Sequence, residues 1–500
     1  MNLVPSIAPE RRRWASLFIV CLAQLMIVLD VTIVNVALPA IQRDLHFSQG
    51  NLTWVVNAFL VTFGSLLLLA GRLGDLAGRK RVFLAGLTIF TVASLLCGIA
   101  PSEGALIGAR FLQGVGAAAQ ASVILAIIVT EFPEPAARAR AMSAYVFVSV
   151  AGGSLGLLAG GVLTEILSWH WVFFVNLPIG VVAFLLGRAL IPADKGLGLG
   201  HGVDWLGSLL VTGSLMSAIY AIVEATGHGW ISAQVFGFGA LAAVLMTAFL
   251  LLEARIQNPI MPLRILRLRG LIDASLVRGI LVTGMYSTFF LATLYLEHVR
   301  HFSALQTGAA FLPWTITVAI LSQGITARLV TRFGPLPVLM AGMVTAAAGL
   351  LLFATVGPHT AYFPTVFFAC FLIGLGIGNA FMPLLTIAMA DVPAADAGLG
   401  SGITNVSQQL SGAFGLAVLS TIATNHTKGL LADHHSVVSS LIGGYHVAFI
   451  IGAATIATGV VLAFALLRPR AARPELAVAE TSADRQPELV PNFDLEQEAA

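Results

Sequence analysis

Long uncharged runs separated by short charged loops set the pattern of this chain. Residues 52–70 carry no charge, and neither do residues 82–101. Between them, the eleven residues Gly71-Arg-Leu-Gly-Asp75-Leu-Ala-Gly78-Arg79-Lys80-Arg81 hold five charges. Apolar runs of about 20 residues match a bilayer core as helices, so this elbow reads as a loop between two membrane helices. The same reading gives fourteen spans, near 14–38, 51–71, 81–101, 104–130, 140–165, 169–191, 204–225, 232–254, 271–296, 305–327, 336–356, 361–385, 399–424 and 443–467. Beyond 467 the chain turns to Arg, Pro, Glu, Asp and Gln, and a disordered tail is expected over 468–500.

Composition turns that pattern into a fold class. With 58% hydrophobic residues and mean hydropathy +0.92, the chain has more apolar surface than a soluble core could hide. Backbone groups in lipid must be satisfied within each segment, and the spans are too long for barrel strands. An all-α integral membrane protein follows. The run 14–38 is too long for a signal peptide and lacks a small-residue cleavage site, so it counts as the first span, with Arg11–Arg13 as a topology anchor. Cys21, Cys97 and Cys370 all lie in apolar spans and read as small hydrophobes.

Charge then orients the spans. If the N-terminus is inside, 21 of the 26 Lys and Arg residues fall on inside segments, and only Arg43, Arg300 and Lys428 lie in outside loops. That bias puts both termini in the cytoplasm. An internal repeat also emerges. Phe47-Ser48, Arg72-Leu73 and Gly78 recur as Phe302-Ser303, Arg328-Leu329 and Gly334, and Phe111-Leu112-x-Gly114-x-Gly116 recurs as Phe371-Leu372-x-Gly374-x-Gly376. Two six-span units with an insert between them account for the count. The expected division is a cytoplasmic N-terminus 1–13, an N-terminal half 14–191, two inserted helices with their loops 192–270, a C-terminal half 271–467, and the tail.

These motifs resemble the fourteen-span drug:proton antiporter branch (EmrB/QacA type) of the major facilitator superfamily. In the elbow, Gly71, Leu73, Asp75, Gly78, Arg79 and Lys80 match the signature between spans 2 and 3, with Leu76 in place of the usual Arg. Leu29-Asp30-x-Thr32-x-x-Asn35-x-Ala37-Leu38-Pro39 resembles the branch's first-helix motif, and Arg110-x-x-Gln113-Gly114-x-Gly116 its span 4 motif. Span 5 keeps the glycines of the antiporter motif, Gly156, Gly160 and Gly161, without its proline. Trp169-x-Trp171-x-Phe173-x-x-Asn176-x-Pro178 and Asp204-Trp-x-Gly207 also resemble the branch. The resemblance implies the major facilitator fold, with two pseudo-symmetric six-helix halves plus two inserted helices.

Candidate chemistry centres on Asp30. An ionised acid within a span costs about 2.5–3.5 kcal/mol on insertion scales, so it needs a partner, water or a proton. It is either a site that exchanges protons or a fixed charge that cross-links helices. Arg110 cannot give up its proton, and it serves either as the counter-ion of the proton-coupling pair or as a residue reaching for the interface. Arg110, Gln113, Gly114, Ala117 and Gln120 form one small and polar stripe on a helix. Ser401, Asn405, Gln408, Gln409 and Gly412 form another, which lines a path or bonds neighbouring helices. Asn35, Gln113, Gln120, Asn405, Gln408 and Gln409 are the candidate substrate-cavity residues. By resemblance, Gly71, Asp75, Gly78, Arg79 and Lys80 gate the halves, and a topology signal is the alternative for the charges. Gly152, Gly156 and Gly160 share a helix face that is either a sliding or a static contact. Glu224, Glu297, Asp273 and Arg278 are expected as interface anchors, with Arg278 deep enough to pair. The loop histidines His426, His434, His435 and His446 lack metal geometry, and Gly374-x-Gly376-x-Gly378 lies in an apolar span with no strand before it.

The expectation is proton-coupled export of hydrophobic or amphipathic small molecules, such as drugs or antibiotics, across the bacterial cytoplasmic membrane. Proton-coupled uptake or facilitated transport of a small metabolite is the alternative. No nucleophile–base pair, metal cluster or phosphate loop supports an enzyme. A proton gradient takes the place of a cofactor, and no metal is expected. The partners expected are the lipid bilayer, protons and a small-molecule substrate, with no nucleic acid and with room for a periplasmic adaptor. A monomer is expected.

Overall fold

Each apolar run satisfies its own backbone as a helix in the computed structural model, which describes residues 9–47, 52, 54–194, 196, 198, 204–256, 259, 261–393 and 396–468. The expected tail, apart from Arg468, and the first eight residues lie outside the described residues. The first half contains α1 (Pro9–Asp44), α2 (Trp54–Ala77), α3 (Arg79–Gly98), α4 (Glu103–Glu131), α5 (Pro135–Ile166) and α6 (Asn176–Leu190), with a one-turn helix Trp171–Phe174 leading into α6. The insert is α7 (Trp205–His228) and α8 (Ala233–Glu253). The second half contains α9 (Arg269–Leu294), α10 (Leu305–Phe333), α11 (Pro335–Phe353), α12 (Tyr362–Ala390), α13 (Ala397–Ala432) and α14 (Val437–Leu466). Among the described residues thirteen helices are long and apolar enough to span a membrane, and one bent pair makes fourteen.

That bent pair is α5, whose segments Pro135–Gly153 and Leu158–Ile166 meet at 42°. No proline lies at the bend, and Gly156 stands where the backbone turns. Helix starts are capped by side chains the sequence supplies. Ser102 accepts from Ala105 N at the head of α4, Asp204 from Gly207 N at α7, and Ser436 from Ser439 N at α14.

The repeat seen in the sequence is a repeat of packing. A Cβ on Gly116 would stand 2.8 Å from Gly86 O, and one on Gly376 would stand 2.5 Å from Gly342 O. The α3–α4 contact is thus rebuilt as α11–α12, with backbones too close for any side chain. Gly114 meets Phe59 O of α2, and Gly374 meets Trp314 O of α10, in the same relation. At both elbows a glycine precedes the next helix with positive φ, +100° at Gly78 and +82° at Gly334, a conformation that L side chains rarely adopt.

The insert docks on both halves. Trp54 of α2 stacks on Tyr220 of α7 at 5.8 Å, and Trp230 meets Phe414 of α13 edge-on at 5.7 Å. At the end of the first half away from the elbow, Ile33, Val34, Ala37, Val55, Cys97, Leu106, Trp169 and Phe173 form a separate buried apolar cluster.

Candidate functional site

Asp30 is fully buried in α1 and its carboxylate is held from three sides. Arg110 Nη1 of α4 donates to Oδ2 at 2.5 Å. Gln113 Nε2, one turn on, donates to Oδ1 at 2.7 Å, and Asn176 Nδ2 at the start of α6 reaches Oδ1 at 3.5 Å. The spacing of Arg110 and Gln113 puts both on the face of α4 turned to α1. Arg110 also donates to Val55 O, through Nε at 2.7 Å, and through Nη1 to Gln113 Oε1 at 2.7 Å. Its guanidinium lies 4.6 Å over the Phe59 ring, a cation–π contact. Gln113 also donates to Ser94 Oγ of α3 at 2.9 Å, and the Cys97 thiol donates to Gln113 Oε1 at 3.5 Å.

This is a buried ion pair with its hydrogen bonds nearly filled. Such a pair roughly offsets its own desolvation, whereas removing one member strands a charge at a cost of about 3–5 kcal/mol. All three neighbours that reach Asp30 donate to it, so the pair ties α1 to α4 and to the start of α6. The apolar cluster above the pair, around Ile33, Val55 and Trp169, closes it from the end opposite the elbow.

The elbow forms a second site. The Asp75 side chain is buried at the end of α2 and accepts from Gly398 N at 2.8 Å and Leu399 N at 2.9 Å, the first amides of α13. An acid of the first half thus caps a helix of the second, where the helix dipole favours negative charge. Arg79 Nη2 pairs with Asp75 Oδ1 at 3.2 Å. The approach requires glycines on both helices, because a Cβ on Gly71 would stand 2.5 Å from Gly398 O and one on Gly402 would meet Leu67 O at 3.0 Å. Lys80 Nζ donates to Arg188 O at 2.8 Å and Ile191 O at 2.6 Å, closing the C-terminus of α6. Asp194 caps α3 through Arg79 N at 2.8 Å and Lys80 N at 3.3 Å. Asp396, just before α13, pairs with Arg264 at 2.9 Å and Arg72 at 3.9 Å. Beyond the spans, Glu134 has its carboxyl held below the ordinary range, first by its own backbone N–H and then by Arg13.

The remaining candidates fall in several places. Asn405 Nδ2 donates to Ala121 O of α4 at 3.3 Å, so the α13 stripe meets the α4 stripe across the halves. Gln408 accepts from Arg278, which is 2% exposed, also bonds Thr404 O at 3.4 Å and faces the Phe381 ring. Arg278 is therefore a buried residue of the second half and not an interface anchor. Gln409 lies beside Gly64 of α2. Asn35 is exposed, with Nδ2 bonded to Val31 O on its own helix, and is not brought to the pair. Gly152, Gly156 and Gly160 seat α5 on Val28, Thr32 and Ile33 of α1, within one half. Gln120 is fully buried on the stripe of Arg110 and Gln113.

Sequence reasoning passed over Ser94, Asp194 and Asp396, and gave no role to Asn176 although its motif was noted. Asn176 had a signal, an amide inside a motif otherwise aromatic and apolar. The loop acids had only their nearness to helix starts.

Comparison with known proteins supplies a family. The profile described as Major Facilitator Superfamily matches residues 20–416. The puromycin resistance protein pur8 of Streptomyces alboniger is 41% identical over 470 residues, covering 92% of this chain and 93% of its own. The cephamycin export protein CmcT of Amycolatopsis lactamdurans is 35% identical over 425 residues, covering 84% and 87%. Among solved structures, the crystal structure of the human organic anion transporter MFSD10 (TETRAN) matches with a TM-score of 0.64 at 17% identity, covering 91% of this chain and 100% of that one. The last likeness is one of fold alone.

Proposed function

The chain belongs to the Major Facilitator Superfamily, and from that premise we propose that it exports hydrophobic or amphipathic small molecules, antibiotics among them, in exchange for protons. It is a multi-pass membrane transporter and not an enzyme. Export as the direction draws on relatives named for puromycin resistance and cephamycin export. Proton coupling rests on one observation, the Asp30–Arg110 pair, in which an acid that can accept a proton is locked to a base that cannot lose one.

In this reading the elbow faces the cytoplasm of a bacterial cell, with both termini on that side, as the arginine bias favours. The Asp75 contact with α13 holds the elbow end shut and parts as the halves rock. A proton arriving from outside neutralises Asp30, frees Arg110 and favours opening toward the cytoplasm. Proton release restores the pair and returns substrate outward. Gln113 and Asn405 belong to the polar lining of this path, which works as a monomer with no cofactor beyond the proton gradient.

The test uses purified protein in proteoliposomes that carry a pH-sensitive dye, with puromycin as the probe. An imposed pH gradient should drive puromycin against its concentration gradient, with matched proton movement. Asp30→Asn should abolish the proton-driven part while the protein still folds. Undiminished pH-driven export by that variant would refute the role of Asp30, and inward accumulation of puromycin with protons would refute export.

A further inference from the structure

Below the Asp30–Arg110 pair, on the side of the elbow, one side chain on α4 is polar without a protein partner. Gln120 is 0% exposed, and neither its Nε2 nor its Oε1 finds a hydrogen-bond partner among the described residues. It sits seven residues beyond Gln113 on the same face, about 10 Å along the helix. A buried amide left open at both ends costs about 1–3 kcal/mol for each group, and such groups in folded proteins bond ordered water. Gly116, Ala117 and Ala121 of α4 flank the position with small side chains, and Gly86 of α3 packs directly on its backbone. One residue further, Ala121 O accepts from Asn405, which also donates to Ser401 Oγ, and Gly398 and Leu399 beyond them hold Asp75. Polar groups therefore lead from Asp30 toward the elbow. Toward the opposite end the pair meets the apolar cluster.

We infer that Gln120 holds the water through which Asp30 releases its proton to the elbow side, so that it is a positioning residue for the inner half of proton transfer. This rests on the proton-coupled reading above. In the step, the O–H bond of the Asp30 carboxyl breaks and its proton passes, along hydrogen-bonded water, to the oxygen of the water held by Gln120. That water passes a proton on to solvent at the elbow end once the Asp75 contact has parted, and the carboxylate left behind re-forms its pair with Arg110. Arg110 and the Cys97 thiol are the charged and titratable groups around the pair, and neither supplies this route: Arg110 keeps its proton, and Cys97 is bonded to Gln113.

Two assays on one preparation separate this role from a structural one. In proteoliposomes, pH-driven net export of puromycin requires Asp30 to release a proton in every cycle. Puromycin counterflow at equal pH on both sides cycles the loaded carrier with no net proton transfer. Gln120→Met keeps the volume and removes the amide. It should slow net export about tenfold relative to puromycin counterflow. Gln120→Asn keeps an amide and should recover part of the net rate. It also serves as the second variant should the Met protein fail to fold, in which case its net export should fall relative to counterflow. Equal loss in both assays, or loss in neither, overturns the proposal. Wild-type protein that shows counterflow but no pH-driven export would instead refute the proton-coupled reading itself.

Discussion

Replacing Asp75 by Asn tests whether the elbow contact holds the two halves shut. The side chain keeps its shape, but its charge disappears, and one of the oxygens facing Gly398 N and Leu399 N becomes an NH2 group. A hydrogen bond to a charged group contributes about 1.5–3 kcal/mol, and charge at a helix start adds up to ~1 kcal/mol. The loss of one such bond with its dipole term is about 3 kcal/mol, which is roughly 150-fold in the equilibrium between closed and open elbow. Ser401, fully buried three residues after Gly398, reports that opening when changed to Cys. The three native cysteines are buried, so a membrane-impermeant maleimide added from the elbow side reads position 401 against a low background. Ser401→Cys alone should label slowly, and with Asp75→Asn it should label on the order of a hundred times faster. An unchanged labelling rate in protein that still binds substrate would show that the contact carries no closing energy, and the argument from helix capping would fail.

Two further outcomes follow from the geometry. Asp30→Asn and Arg110→Gln should each lower stability in detergent by about 3–5 kcal/mol. The double variant should cost less than the sum by at least ~2 kcal/mol, and thermal unfolding of all four proteins measures that coupling. Gly78→Ala and Gly334→Ala, at the equivalent positive-φ positions of the two halves, should each cost about 1–3 kcal/mol by strain. Gly78→Ala should lower the unfolding temperature more, because its Cβ would also stand 2.9 Å from Asp194 O, and no shift at Gly334 would count against the equivalence of the two elbows.

Span number and the elbows were legible because bilayer thickness imposes a length on apolar runs, and every charge between runs stands out in a chain only 10% charged. Gly116 and Gly376 were legible as a repeat because close backbone approach leaves glycine as the residue that fits. The partnership of Asp30 and Arg110 was legible only as one of two readings of Arg110, since it joins residues 80 positions apart and no local pattern encodes which face of α4 meets α1. Ser94 and Asn176 are neutral, and in a one-dimensional reading a neutral polar residue within a span is indistinguishable from helix back-bonding, which Ser94 indeed also does to Phe90 O. Arg278, expected as an interface anchor though deep enough to pair, is buried and paired. Nearness to a span end in sequence says nothing of depth in a bundle whose neighbouring helices extend past it. Asp194 and Asp396 were passed over, because their function as a cap and as an ion-pair hub depends on helix ends that come together only in three dimensions.

The contact at the elbow has an uneven ancestry of atoms. Its plug is one side chain, Asp75, while its socket is main chain, the opening amides of α13. Codon changes can swap the plug or crowd the socket through Gly71 or Gly398, but no substitution short of proline deletes a peptide N–H. Variation in how tightly α2 holds the start of α13 is thereby funnelled into a few positions, residues 71, 75 and 398.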